Sequence, residues 1–419
     1  MWKYPVKARA LCGCASDPIT VFLMSIRQRS RKTKNSPRER LQSFLDTLNR
    51  KRIDAAILTD PRHVYYFTGY STFWPRQTAL LILTRDHDSH LFVNSGFFKQ
   101  GAADAKKVFD GGVSAFVDYD LQRRMIAYEG YVAQELTKFL AHSKILRGSK
   151  MIGLEDWHIP HTYFNAISKA VSRARYTGIS DLILISRKTK GNDELKNLRE
   201  AAKRLDLAYQ TAKANIKVGK TEIQLCRDVM SDSILRHGPF EFSRGDTWLS
   251  GERTLEIGGP PTDRRFQQGD SVLLDLQSLY NSYWADGART YVVGKPNQEQ
   301  EHIFNVILTA KKKGEELLRP GTICRDVYNA VAGEIEKAGY GHGYGWPHHA
   351  GHGLGLEVQE SPFFIPGSRE RLKEGVVCTL EPGIYHPKIG GFRDEDTYII
   401  TRDGCEKITT PPSRLEEAA

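Results

Sequence analysis

Residues 272–290, VLLDLQSLYNSYWADGART, place two aspartates inside an otherwise apolar and aromatic stretch. Two such runs around a short polar turn predict a β-hairpin, and a turn centred on Tyr280 and Asn281 would set Asp275 directly opposite Asp286. Opposed residues share one face of a sheet, with Cβ atoms about 4.5–5.5 Å apart. Carboxylates that close repel each other, which raises the pKa of one or requires a cation. An exposed hairpin with hydrated aspartates is the alternative.

Further histidines and carboxylates follow this hairpin. Residues 346–360, WPHHAGHGLGLEVQE, combine a histidine cluster with glycines that permit tight backbone geometry. Glu381 ends an apolar run in TLEPGIY, and Glu395 begins a strand-like segment in GGFRDEDTYIIT. One imidazole and four carboxylates form an oxygen-rich set that suits two divalent ions such as Mn²⁺ or Co²⁺ better than a structural zinc. Two ions about 3.5–4 Å apart can share a water molecule and polarise a carbonyl, so the pattern predicts a hydrolytic centre.

The periodicity of the chain predicts two folded parts. Ser36 and Pro37 indicate a helix start, and strand-like runs then alternate with helical patterns, which predicts an α/β domain over residues 37–185. A polar linker followed by a long amphipathic pattern predicts a second domain over residues 186–410.

A weak internal repeat lies within the second part. IKVGKTEIQLCRDV at 216–229 is similar to LRPGTICRDV at 318–327, and each consists of a helix end, a glycine turn and a new helix start. The repeat predicts a domain of two similar halves, with coincidence as the alternative for so short a match.

Charge and cysteine usage narrow the classes of function. The net charge is +10, but much of it lies in RQRSRKTKNSPRERL, so we expect residues 1–36 to form a disordered basic tail rather than a nucleic-acid site, with translation starting at Met1 or Met24. Six cysteines without a C-x-x-C pair predict neither a disulfide framework nor a zinc ribbon, which favours a reducing, cytoplasmic location. The sequence contains no run of eighteen apolar residues, so it predicts no membrane span.

Taken together, these motifs resemble the pita-bread metallopeptidases of family M24. Five contexts occur in the family order, LLDLQ, WADGART, GHGLGLEV, LEPGIY and RDEDTYIIT, and the whole chain is most similar to the creatinase, prolidase and Xaa-Pro aminopeptidase branch. The resemblance implies an α/β (α+β) fold class, in which a creatinase-like N-terminal domain precedes a pita-bread catalytic domain. It also implies two divalent ions, with Mn²⁺ expected and Co²⁺, Zn²⁺ or Fe²⁺ as alternatives, and a homodimer.

The resemblance implies a role for each matching residue. Glu381 would be both a ligand and the general base, His348 would line the substrate pocket, and Arg393 would support the second glutamate. For His349, simple packing is the favoured interpretation. The implied metal ligands are Asp275 on one ion, Asp286 and Glu395 between both, and His352 and Glu381.

Two positions depart from the family pattern. Gln359 stands where the peptidases carry a histidine, and no histidine occurs between His237 and His302, where another is expected. In the peptidases those histidines contact the peptide and the developing oxyanion, and the loss of one transition-state donor costs about 10²–10³ in rate. The departures leave the substrate open.

The leading hypothesis is a dinuclear metal-dependent hydrolase of the Xaa-Pro dipeptidase or aminopeptidase type, in which metal-activated water attacks an amide bond of a small peptide. The first alternative is a small-molecule hydrolase or lyase on the same scaffold, similar to ectoine hydrolase or dimethylsulfoniopropionate lyase. The second is a non-catalytic binding module, against which the complete ligand set argues.

Overall fold

The first helix begins where the sequence predicts. Pro37 occupies its first turn, and the backbone N–H of Ser36 donates to Oε2 of Glu39 at 3.1 Å. Most of the predicted basic tail lies outside the described part of the chain. The computed structural model describes residues 36–71, 79–86, 88–94, 101–117, 129–239, 241, 243–341, 346–412 and 414–418.

The N-terminal part is a six-stranded mixed sheet with helices around it. The strands are ordered β4-β3-β2-β1-β5-β6, with β1 antiparallel to β2 and parallel to β5. Its helices are Pro37–Arg50 (α1), Pro61–Thr68 (α2), Gly101–Val108 (α3), Glu129–Ser143 (α4), His161–Ala170 (α5) and Ser180–Arg187 (α6). Its strands are Ala55–Leu58 (β1), Ala79–Thr84 (β2), Ser89–Asn94 (β3), Gly112–Phe116 (β4), Met151–Leu154 (β5) and Arg175–Gly178 (β6). The alternation of strands and helices confirms the predicted α/β class.

The C-terminal part combines long helices with two larger sheets and a hairpin, ordered β17-β9-β8-β7, β11-β10-β12-β15-β16 and β13-β14. Its helices are Asn192–Asn215 (α7), Glu222–His237 (α8), Gln298–Glu315 (α9) and Cys324–Lys337 (α10), with a 3₁₀ turn at Gly251–Glu256. Its strands are Arg244–Ser250 (β7), Ser271–Tyr280 (β8), Tyr283–Val293 (β9), His352–Gly353 (β10), Glu360–Phe363 (β11), Val377–Leu380 (β12), Gly383–His386 (β13), Gly390–Arg393 (β14), Asp396–Ile400 (β15), Cys405–Lys407 (β16) and Glu416–Ala418 (β17). No described helix is long and apolar enough to cross a membrane.

The β8–β9 hairpin has a different register from the predicted one. Asp286 lies opposite Gln277, and Asp275 lies opposite Ala288, so the prediction that the two aspartates face each other directly is wrong. The turn is centred one residue later than expected, on Asn281 and its neighbour, both of which have positive φ angles of 49° and 69°. Because the error shifts the pairing by two residues, both aspartates still occupy the same face of the sheet.

The predicted repeat corresponds to two equivalent helix–turn–helix corners. Gly219 and Gly321 both have positive φ. The N–H of Gly219 donates to the Phe266 carbonyl oxygen, and the N–H of Gly321 donates to the Leu372 carbonyl oxygen. Helices α8 and α10 begin directly after these turns. The domain therefore has the two similar halves that the repeat predicts.

Candidate metal centre

The candidate ligands lie on strands and connections of both large sheets. Asp275 and Asp286 are carried by β8 and β9, and His352 opens β10. Glu381 follows the last residue of β12, and Glu395 lies between β14 and β15. All five residues are at least nine-tenths buried, from 9% exposed for Asp275 to 1% for Glu395. Hydrophobic strands therefore bring five ionisable groups into the interior, where each needs compensation.

One group of potential ligands consists of Asp286, His352 and Glu395. One ligand atom from each lies within 4.8 Å of the others, and Nε2 of His352 is 3.7 Å from Oδ2 of Asp286. The opposite ring nitrogen of His352, Nδ1, is 2.9 Å from the Gly353 carbonyl oxygen and donates to it. That contact fixes the tautomer and leaves the Nε2 lone pair available to a cation.

A second group consists of His348, His349 and Glu381, again with one ligand atom each within 4.8 Å of one another. Nδ1 of His349 is 3.3 Å from Oε1 of Glu381, and Nε2 of His352 is 3.4 Å from the same oxygen. Glu381 thus lies between the two groups. The structure brings His349 into the site, although packing was the favoured interpretation of this residue.

Asp275 belongs to neither group, and a donor reaches each of its carboxylate oxygens. Nη2 of Arg393 donates to Oδ2 at 2.7 Å, and Nε2 of Gln277 donates to Oδ1 at 2.9 Å. Arg393 therefore supports Asp275 directly, whereas the resemblance implied support of Glu395. Gln277 is buried and lies opposite Asp286 in the hairpin, a contact that sequence reasoning missed.

Burial raises the pKa of three carboxyl groups in the site. Burial raises the pKa of Asp275 to about 7, with the nearby charges of Asp246 and Glu381 adding to the rise against Arg393. Burial, followed by the charge of Asp275, raises the pKa of Asp286 well above its ordinary range. The carboxylates therefore bind protons or cations more strongly than carboxylates in water.

Glu395 is the buried carboxylate whose surroundings most clearly call for a bound cation. Burial, followed by the charge of Glu381, raises its pKa well above the ordinary value. Neither of its carboxylate oxygens has a hydrogen-bond partner in the described part of the chain. Buried polar atoms are almost always satisfied, so an orphaned carboxylate beside Asp286 and His352 fits a divalent ion well.

Glu381 and the histidines have shifts of the opposite sense. Burial acts to raise the pKa of Glu381, but its contact with His349 and the charges of His352 and His348 outweigh burial and lower it to about 2. Burial lowers the pKa of His352 and lowers that of His348 to about 4. Both imidazoles are therefore neutral at pH 7, and neutral imidazole is the form that binds metal.

Tyr385 joins the pocket histidine to the arginine. Its hydroxyl is 2.9 Å from Nε2 of His348 and accepts a hydrogen bond from Nη1 of Arg393, also at 2.9 Å. Thr379 has a similar role on the other side, since its Oγ1 accepts from the His352 N–H and donates to Oε1 of Glu381, both at 3.1 Å. Neither residue was singled out from the sequence, although both lie close in sequence to Glu381.

The loop after His352 is held by two cationic residues near the junction of the two parts of the chain. Arg187 forms an ion pair with Glu360, and Nζ of Lys190 donates to Oε1 of Glu360 at 2.8 Å. All three side chains are at most 4% exposed. Gln359 immediately precedes this buried anchor and is itself exposed, outside both candidate ligand groups.

Comparisons with known proteins show the family to which the chain belongs. Residues 196–402 match Metallopeptidase family M24, and residues 40–188 match the Creatinase/Prolidase N-terminal domain. The chain is 30% identical over 379 residues to an Xaa-Pro dipeptidase of Pyrococcus horikoshii, which covers 90% of this chain and 98% of that protein. An Xaa-Pro dipeptidase of Pyrococcus furiosus is 30% identical over 380 residues, with coverage of 90% and 99%.

Solved structures of prolidases and Xaa-Pro dipeptidases share the fold of this chain. The prolidase from Pyrococcus horikoshii OT3 has a TM-score of 0.76 at 30% identity, covering 89% of this chain and 99% of that one. The Xaa-Pro dipeptidase from Bacillus anthracis has a TM-score of 0.77 at 26% identity, with coverage of 91% and 99%. The family implies bound divalent metal ions, and the oxygen-rich donor set described above fits them. The chain belongs to metallopeptidase family M24 and carries the N-terminal domain of its creatinase and prolidase branch.

Proposed function

We propose that this protein is a dinuclear metal-dependent Xaa-Pro dipeptidase or aminopeptidase. The observation that carries the proposal is the Glu395 carboxylate, which is buried with both oxygens unpartnered beside Asp286 and His352. The relatives named above as Xaa-Pro dipeptidases support the choice of substrate. The proposed metal ligands are Asp275, Asp286, His352, Glu381 and Glu395.

The side chains of the site supply the remaining chemistry. Two divalent ions bound there would polarise the scissile carbonyl and make a nearby water molecule acidic. Glu381, whose lowered pKa keeps it ionised at neutral pH, would accept the proton of the attacking water. His348 is neutral and hydrogen-bonded to Tyr385, so it can orient the substrate without adding charge. Arg393 holds Asp275 in place and favours its ionised form against burial.

We expect Mn²⁺ as the physiological ion, with Co²⁺, Zn²⁺ and Fe²⁺ as alternatives. Carboxylate-rich sites favour hard ions such as Mn²⁺, and four of the five proposed ligands are carboxylates. Affinity alone does not select Mn²⁺, because Zn²⁺ binds most nitrogen and oxygen sites more tightly. The ion therefore has to be identified in protein prepared without added metal.

A second candidate is hydrolysis or lysis of a small non-peptide molecule on the same scaffold. Gln359 is exposed, and the segment beside Thr247 that could have carried a histidine has Gly258 and Gly259 instead. Asp246, an exposed aspartate, adjoins these glycines, since its backbone carbonyl oxygen accepts a hydrogen bond from the Gly259 N–H at 3.1 Å. This arrangement favours a cationic or neutral group over a peptide carboxylate next to the site.

The domain limits, location and assembly are further parts of the proposal. We place the N-terminal domain at residues 37–185 and the catalytic domain at 186–410. Cys226, Cys324, Cys378 and Cys405 are all unpaired, which supports a cytoplasmic protein, where thiols stay reduced. We also propose a homodimer, which size-exclusion chromatography with light scattering would test.

The test is hydrolysis by protein stripped with a chelator and reloaded with Mn²⁺ or Co²⁺. Matched dipeptides such as Ala-Pro and Ala-Ala measure the proline requirement, and Ala-Pro-Ala distinguishes a dipeptidase from an aminopeptidase. The Glu381→Gln variant is the control for contaminating peptidases. If metal-loaded protein cleaves no Xaa-Pro peptide, and Gln359→His gains none, the peptidase assignment is wrong and the second candidate takes its place.

A further inference from the structure

The segment that carries Glu395 presents alternate residues to opposite sides. Arg393 contacts Asp275, and Oγ1 of Thr397 donates to the Asp286 carbonyl oxygen at 2.7 Å. Glu395 lies beside Asp286 and His352 in the metal centre, so all three alternate residues contact residues of the proposed ligand set. The two residues between them therefore point away from it, as expected for extended chain.

Those two residues, Asp394 and Asp396, enter a buried cluster of charges. Nζ of Lys311 on α9 donates to an oxygen of each carboxylate. Nη2 of Arg289 on β9 donates to Oδ1 of Asp396 at 2.5 Å. None of the four side chains is more than 5% exposed. Two cations from different elements thus offset two carboxylates on one segment.

The same cluster holds the backbone of Glu395. Its N–H donates to the Ala288 carbonyl oxygen at 3.0 Å, and its carbonyl oxygen accepts a hydrogen bond from Nη1 of Arg289. The Glu395 side-chain oxygens lack a donor within the described residues. The direction of its carboxylate therefore depends on the contacts that hold the Glu395 backbone and the neighbouring aspartates, because the carboxylate has no hydrogen bond from the described residues that would orient it.

We propose that Lys311 is a positioning residue of the metal centre. Its ammonium fixes Asp394 and Asp396 on one side of the segment and so directs the Glu395 carboxylate on the other side toward the ion that it would share with Asp286. The inference rests on the metal centre of the proposed function. Lys311 itself lies behind the strand, where its ammonium donates to Asp394 and Asp396.

The charge balance explains why this ammonium matters. Asp394 is fully buried, and its other cationic neighbour, Arg289, is 3.7 Å away from it and engaged with Asp396. Without the ammonium, two buried carboxylates at alternate positions of one extended segment would repel each other with too little compensation. The segment would shift, and the ion bound through Glu395 would be held less tightly.

The experiment is a titration of chelator-stripped protein with Mn²⁺ by calorimetry, comparing the wild type with Lys311→Gln. We expect two binding steps in the wild type, and a loss of roughly 10–100-fold in the overall Mn²⁺ affinity of the variant, the range found for residues that support metal ligands. Glu395 would lie between the two ions, so the loss is expected at both steps. Lys311→Arg, which keeps the charge, should restore most of the lost affinity.

Two further variants separate positioning from general stability. Lys407→Gln is the matched control, since Nζ of Lys407 is 3.3 Å from the same Asp396 but its side chain is 36% exposed. If Lys311→Gln does not fold, the Lys311→Gln and Asp394→Asn double variant restores the charge balance and is titrated instead, with the same loss of affinity expected from its weaker hold on the segment.

Three results would overturn the proposal. The first is wild-type affinity for both ions in folded Lys311→Gln, or in the double variant if that protein is titrated. It would show that Lys311 does not position Glu395. A loss of affinity that Lys311→Arg does not restore, or that Lys407→Gln reproduces, would show a purely structural role. Failure of the wild type to bind Mn²⁺ at all would overturn the proposed metal centre together with this inference, so the two failures are distinguishable.

Discussion

Nη2 of Arg393 donates to Oδ2 of Asp275 at 2.7 Å, which ties the end of β14 to the middle of β8 across the site. The same guanidinium reaches the Tyr385 hydroxyl and the Ile257 carbonyl oxygen. One buried cation thus orders one carboxylate and the backbone around it. The contact counters the burial that raises the pKa of Asp275.

Replacing this arginine should weaken metal binding in a pH-dependent way. In Arg393→Met the pKa of Asp275 rises further, so a proton competes more strongly with the metal at neutral pH. We expect about a 10–100-fold loss of Mn²⁺ affinity at pH 7, which becomes smaller at pH 9. Arg199→Met, which removes an exposed pair with Glu406, should leave affinity unchanged. A loss that is the same at both pH values would contradict this account.

The metal-free protein should lose stability as the pH rises. The pKa of Asp275 is about 7 in the folded state and about 3.9 in an unfolded chain, so the folded state binds more protons between these values. Stability from this group is therefore complete below about pH 4 and is lost as the pH rises through about 7. Chemical denaturation with chelator present, from pH 4 to 8, measures the effect.

Asp246 provides a control for that prediction. Its charge adds to the raised pKa of Asp275, although Asp246 itself is exposed. Asp246→Asn should therefore shift the loss of stability to lower pH without unfolding the protein. A profile that is flat in both proteins would show that Asp275 is not held in a repulsive cluster.

Glu395→Gln should stabilise the metal-free protein and destabilise the metal-loaded one relative to the wild type. The substitution removes a buried charge without a hydrogen-bond partner, which costs on the order of a few kcal/mol to bury. It also removes a proposed ligand. Thermal unfolding with chelator measures the effect on the metal-free protein, and unfolding with Mn²⁺ measures the effect on the metal-loaded one. A destabilisation in both conditions would contradict the interpretation that Glu395 is a buried, unpaired charge.

Tyr385→Phe should lower kcat by roughly 10-fold or more, because it removes the hydroxyl between Arg393 and His348. His348→Phe should have a similar effect, and the double variant should lose little more, since both act through one contact. Tyr328→Phe keeps the ring that stacks on Trp346 at 4.9 Å and should be neutral. Additive losses would show that the tyrosine and the histidine act separately.

Gly351→Ala should destabilise the loop that precedes His352. A Cβ atom at Gly351 would lie 2.2 Å from the Thr379 carbonyl oxygen, so the backbone would have to move. We expect about 1–3 kcal/mol of lost stability and weaker metal binding. Gly333→Ala, on α10 with no heavy atom within 4 Å of the new Cβ, should be neutral or stabilising. Equal behaviour of the two variants would contradict the close approach.

The pairing of β8 and β9 shows how far the sequence leads. Alternation correctly predicts a hairpin with both aspartates on one face, because the period of a strand is two. The register depends on which two residues take positive φ, and here they are Asn281 and Ser282 rather than Tyr280 and Asn281. Neither candidate turn contains glycine, so local preference does not decide between them.

Long-range contacts escaped sequence reasoning for a different reason. Lys311 stands in a run of three lysines that is typical of a solvated helix face, and its partners lie more than 80 residues away. His349 is one of three histidines in a short segment, and only the fold places it beside Glu381. The five motif residues can be proposed from the sequence because their local contexts match a family, whereas their supporting contacts depend on tertiary packing.

Metal equivalents bound per chain test the central claim most directly. Elemental analysis and Mn²⁺ titration should give two equivalents for the wild type and for Asp263→Asn, an exposed aspartate outside the site. Asp286→Asn should bind fewer than two. Saturable binding of two ions that depends on Asp286 is the predicted result, and no saturable binding, or two ions bound regardless of Asp286, would contradict the account.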